Sequence, residues 1–89
     1  MSRGKGYYSI EQKEYLKDIG KRIKYLRKKY GVSQTELITR IEMSKQGLSK
    51  IENGRSDVQI ITLYEITKGI GCSMAELFDF EFTYEVQDE

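Results

Sequence analysis

The chain has 89 residues, 38% of them apolar and 33% charged, with a net charge of +1. That is one soluble domain with a single modest core. With one cysteine (Cys72) and no histidine, an intramolecular disulfide is excluded and no Cys/His zinc site is available.

No apolar run approaches the roughly 20 residues that span a bilayer. The N-terminal MSRGKGYYSI lacks the apolar stretch of a secretion signal, so a cytoplasmic protein is expected. The charge is unevenly placed. Residues 1–55 hold 14 Lys and Arg against 6 Asp and Glu, a net of +8, while residues 56–89 hold 1 against 8, a net of −7. A basic front half suits a module that meets a polyanion on one side.

Residues 1–8, with Arg3 and Lys5 among glycines, read as a flexible basic arm. Ser9 followed by Gln12 is a capping box, and a helix is expected from there to about Tyr30. Leu16, Ile19, Ile23, Leu26 and Tyr30 form its apolar stripe, and Gly31 its C-terminal stop. The cations crowded into its second half suit either the helix dipole or DNA. The sequence does not separate the two.

Ser33 with Glu36 is a second capping box, opening a helix over Gln34–Ile41. Ser44 caps the next, over 45–53, and Gly54 ends it. Leu37, Ile38, Ile41, Leu48 and Ile51 bring the two helices face to face across a tight turn. The second helix points Lys45, Gln46, Ser49 and Lys50 outward, a set of donors able to read base edges in a major groove. Gln34 lies at a helix N-terminus, where free N–H groups can hold a phosphate.

Ile60, Leu63, Tyr64, Ile66 and Ile70 mark a fourth helix, closed by Gly69 to Gly71. Ser73 with Glu76 is a further capping box before a short fifth helix. Phe78, Phe80, Phe82, Tyr84 and Val86 then alternate with polar residues, the period of a strand. A lone strand needs a partner. Pairing with its copy in a two-fold dimer is the favoured reading, and packing on its own helices is the alternative. The domain limits are thus 1–8 for the arm, 9–78 for the helical domain and 79–89 for the extension.

The stretch from Ile19 to Phe78, above all IGKRIKYLRKKYGVSQTEL and SKIENG with SMAELF in support, resembles the phage-repressor-like, XRE-type helix-turn-helix family. The resemblance implies an all-α, five-helix lambda-repressor-like domain, usually dimeric, that binds operator DNA. By position it places base contacts on Lys45, Gln46 and Lys50, with Ser49 beside them. It places phosphate contacts on Ser33, Gln34 and Asn53. Arg22 and Arg55 join the phosphate set by their charge. It further implies a structural ion pair between Arg27 and Glu52.

Four positions depart from the family pattern. Ile38 stands where Ala is usual, Glu42 where Gly is usual in the turn, Gly47 lies inside the third helix, and Val58 stands where Pro is frequent. The expected function is a homodimeric, sequence-specific regulator of transcription, a repressor by preference, on a pseudo-palindromic site. The rival is a protein-interaction module or an antitoxin-like partner-binding protein on the same fold. Nothing has the spacing of an enzyme's nucleophile and base, of a metal site or of a phosphate-cradling loop. No cofactor or small-molecule ligand is therefore expected.

Overall fold

A computed structural model describes residues 8–81, and all regular structure among them is helical. The helices are α1 (Ile10–Lys29), α2 (Gln34–Ile41), α3 (Lys45–Glu52), α4 (Ile60–Ile70) and α5 (Met74–Leu77). None is long and apolar enough to cross a membrane. Phe82, Tyr84 and Val86 of the expected strand lie outside the described residues.

Local chemistry sets the boundaries. The Ser9 hydroxyl accepts from the Gln12 N–H while the Gln12 amide oxygen accepts from the Ser9 N–H, and Ser33 and Glu36 do the same for α2. Ser44 caps α3 by accepting from the Gly47 N–H. Gly31, Gly54 and Gly71 take positive φ just beyond α1, α3 and α4, the left-handed exit that a Cβ disfavours.

The core gathers Ile19, Ile23 and Leu26 of α1, Val32, Leu37 of α2, Leu48 and Ile51 of α3, Leu63, Ile66 and Ile70 of α4, and Leu77 of α5. Every helix contributes, so none buries its apolar side alone. Asp18, Arg27, Glu52 and Thr67 are the polar residues buried with them.

Several expectations need correction. Tyr30 does not continue the α1 stripe into the core. It is 41% exposed, and its hydroxyl donates to Glu76 Oε1 at 2.6 Å. Ser73 and Glu76 make only half of a capping box. Ser73 accepts from the Glu76 N–H, but the Glu76 carboxylate turns to Tyr30 and Lys29 instead. Gly69 does not close α4 but lies inside it. A Cβ there would stand 2.7 Å from Leu37 Cδ1 and 2.8 Å from Ile41 Cγ2, so its role is the close approach of α2 to α4. Ile60 and Tyr64 leave the core face and stand exposed beside Ile61.

Tyr8, placed in the arm by its sequence, is tied to the domain by its hydroxyl, which donates to Asp57 at 3.0 Å. Phe80 is half-buried against the core of the domain, with the Arg22 guanidinium 5.8 Å above its ring.

The α2–α3 turn contains the one non-glycine residue with positive φ among the described residues, Glu42 at φ 55° and ψ 48°. An L-residue pays for that conformation and glycine does not. Glu42→Gly is therefore expected to stabilise the domain by up to about 1 kcal/mol, a rise of several degrees in Tm at this size. An unchanged or lower Tm in a thermal melt would show that the turn is not strained.

Glu76 joins α5 to α1. Hydrogen bonds from the Tyr30 hydroxyl and then from Lys29 hold its carboxyl below the ordinary value of 4.5. A depressed carboxyl pKa stabilises the fold above the unfolded-state value, and that contribution disappears as pH falls through the folded-state value. Glu76→Gln should lower the urea midpoint at pH 7 and leave it close to the parent's at pH 3. A difference that persists at pH 3 would mean that the carboxylate's charge is not its source.

Candidate nucleic-acid interface

α3 is eight residues long and displays two chemistries. Leu48, Ile51 and Glu52 are buried, while Lys45, Gln46, Lys50 and Asn53 are exposed and Ser49 is half-buried. The helical period puts the two sets on opposite sides. The outward set lines one open groove with Arg55: Lys45, Gln46, Ser49, Lys50, Asn53 and Arg55. Three cations and three neutral hydrogen-bonding side chains line it, and no acid does. Arg55 is drawn in by the turn after α3, where its N–H donates to the Lys50 carbonyl at 2.9 Å.

The helix is seated from below by a buried ion pair. Arg27 Nε donates to Glu52 Oε2 at 2.8 Å and a terminal nitrogen donates to Oε1 at 3.2 Å, a two-point contact. The other terminal nitrogen donates to the Val32 carbonyl. Glu52 also accepts from the Gln34 side-chain amide at 3.0 Å. One carboxylate thus fixes α1, the start of α2 and the end of α3 relative to one another.

Two glycines permit the α1–α3 approach. A Cβ at Gly20 would lie 2.5 Å from the carbonyl oxygens of Ile51 and Glu52, and one at Gly54 would lie 2.6 Å from Lys17 Cα. These neighbours are main chain and cannot swing aside. Sequence reasoning missed Gly20, whose signal was a lone glycine inside a helical pattern. It also missed the hydrogen bond from Gln34 to Glu52, which has no local signature.

Ser33 and Gln34 are at the start of α2, outside the groove's lining. Ser33 works as the cap, and the Gln34 and Thr35 N–H groups lie ahead of any intrahelical acceptor. Glu36 stands at the same end, its carboxyl held low by the hydrogen bonds it shares with Ser33. Arg22 is not brought to the groove. It donates twice to the Glu76 carbonyl, at 2.7 and 3.1 Å, and stacks on Tyr25 and Phe80. This anchors α5 and leaves Arg22 outside the lining of the α3 groove. Gly47 lies inside α3 beside its cap. A Cβ there would meet the Ser44 hydroxyl at 3.0 Å and Met43, so the space it spares is at the cap of α3.

Two short helices held at a fixed angle, the second showing a basic and amide-rich side, define a helix-turn-helix unit in a five-helix domain. Residues 23–77 match the Helix-turn-helix family model, and the chain belongs to that family. It is 39% identical over 59 residues to the uncharacterised HTH-type transcriptional regulator y4dJ of Sinorhizobium fredii, covering 66% of this chain and 77% of that protein. It is 37% identical over 60 residues to the control protein C.MunI of a Mycoplasma species, covering 66% of this chain and 81% of that one. Among solved structures, it resembles the restriction-modification controller C.Esp1396I, determined as a tetramer with its natural 35 base-pair operator. The TM-score is 0.68 and the identity 25%, over 81% of this chain and 90% of that one.

Proposed function

We propose that the protein is a sequence-specific double-stranded DNA-binding regulator of transcription, acting as a homodimer on a pseudo-palindromic operator and repressing by occupancy. The observation that carries this reading is the single groove along α3, where Lys45, Gln46, Ser49, Lys50, Asn53 and Arg55 stand together without an acid. Lys45 and Lys50 suit guanine O6 and N7, and Gln46 suits adenine N6 and N7. Asn53, Arg55, Ser33 and the first turn of α2 at Gln34 take phosphates, fixing the register. The relatives, named as a regulator and a control protein, and the operator complex of C.Esp1396I support the same reading.

For the dimer, the exposed face of α4 is a second candidate surface beside the tail residues Phe80, Phe82, Tyr84 and Val86. Ile60, Ile61 and Tyr64 are 61, 65 and 47% exposed, an apolar patch of the kind that marks association. Phe80 is already turned onto its own subunit. Ile61→Glu with Tyr64→Glu should reduce the sedimentation mass from dimer to monomer. An unchanged mass would remove α4 from the interface.

The test of the function is selection from a random duplex library with the purified full-length protein. An inverted repeat with half-sites about one helical turn apart is the expected product. Weak binding without a motif, falling steeply with salt, would leave only backbone electrostatics and would sink the proposal.

A further inference from the structure

The cations divide by what they touch. Arg27 is engaged by Glu52, Arg22 by the Glu76 carbonyl, Lys29 by the Glu76 carboxylate and Arg40 by the Gly69 carbonyl, while Lys68 lies over Tyr64. Lys21, Lys24 and Lys28 make no ion pair or side-chain hydrogen bond among the described residues, and Lys17 has only a 3.4 Å approach to Glu14. The groove cations Lys45, Lys50 and Arg55 are likewise unengaged by any acid among the described residues. Two sets of cations are therefore left to solvent or to a partner: the groove and α1.

The α1 set has a definite shape. Lys17, Lys21, Lys24 and Lys28 follow at steps of four, three and four residues, so their side chains leave the helix within roughly 60° of one another. The stripe runs beside the seam where α3 docks. Gly20 and Arg27, the residues that meet Ile51 and Glu52, occupy the neighbouring row. Gly54 lies against the main chain of Lys17, and the next residue is Arg55, on the rim of the groove. Stripe and groove thus meet at the Lys17–Gly54 contact.

Folding does not explain the stripe. Lys17 and Lys21, and again Lys24 and Lys28, are like charges four residues apart, which repel and weaken a helix. The helix dipole rewards cations only in the last turn, which accounts for Lys28, and the i,i+3 pair with Glu14 accounts for Lys17, but neither accounts for Lys21 or Lys24.

We infer that the lysine stripe of α1 is a second phosphate-binding surface, which takes the sugar–phosphate backbone of the same duplex outside the base pairs read by α3. The inference rests on the DNA-reading function proposed above. It adds flanking backbone contacts that raise affinity without adding sequence information.

The test is the full-length variant Lys17→Gln, Lys21→Gln, Lys24→Gln, Lys28→Gln, in which Gln keeps the helix propensity of Lys. Its affinity is measured across a salt series on the duplex recovered by selection, once with long flanks and once trimmed to the base-read half-sites. With flanks, the slope of log Kd against log salt should fall by about 2–4 per subunit, with the preference over random duplex unchanged. On the trimmed duplex the variant should match the parent, and its Tm should be equal or higher. Equal slopes on the flanked duplex would overturn the inference and leave a solvated helix face. Equal losses on both duplexes would overturn it in favour of the protein's general field. A parent protein that binds neither duplex would overturn the DNA-reading function itself.

Discussion

Glu52→Ala should destabilise the domain by about 3–5 kcal/mol, the cost of leaving a buried charge unpaired. The Glu52 side chain is 1% exposed and that of Arg27 is 10% exposed, so water cannot replace the lost partner. The loss reaches beyond the pair, because Gln34 gives up its acceptor as well. For a domain whose total stability is about 5–15 kcal/mol, the variant is expected to lose from about a fifth to all of its margin. The urea midpoint measures it. The pair need not be stabilising against an apolar replacement. Arg27→Met with Glu52→Leu should recover most of the lost stability while α3, no longer pinned by two-point hydrogen bonding, reads DNA less selectively. If Glu52→Ala unfolds at the parent's midpoint, the pair contributes nothing and the seating of α3 must come from the close Gly20 and Gly54 contacts and from the buried Leu48 and Ile51.

Lys45→Ala with Lys50→Ala should abolish specific DNA binding without unfolding the protein. Both side chains are exposed on α3 and neither takes part in an ion pair among the described residues, so helical circular dichroism and Tm should hold. A specific base contact discriminates by about 1–3 kcal/mol. Two removed together amount to about 2–6 kcal/mol, or roughly 30-fold to ten-thousand-fold in affinity for the selected site. Residual salt-dependent binding should remain from the phosphate-facing residues. Retention of the parent's site preference would move base reading off α3.

These two variants separate the halves of one design. Glu52 and Arg27 fix where the helix stands, and Lys45, Gln46 and Lys50 are the side chains it presents outward. One face is legible by periodicity and the other by partner-free charge, because a two-turn helix with a buried side has only one side left for a ligand.

The sequence by itself determined the helices, the serine caps of α1, α2, α3 and α5, and the outward residues of α3. Capping boxes, left-handed glycine stops and the 3.6-residue period act within a few residues, so they can be read before the fold is known. Only the tertiary structure decided what joins distant elements. Tyr30 and Arg22 looked like a core residue and a phosphate ligand. Both meet Glu76, 46 and 54 residues away, and hold α5. Gly69 looked like a stop and Gly20 carried no reading of its own, yet each is where a neighbouring helix leaves no space for a methyl group. Phe80 continued an alternating pattern but packs on its own core beneath Arg22. The difference is one of range. Backbone hydrogen bonding and periodicity are short-range properties of neighbouring residues, whereas shape and partner choice arise only when helices far apart in the chain come into contact.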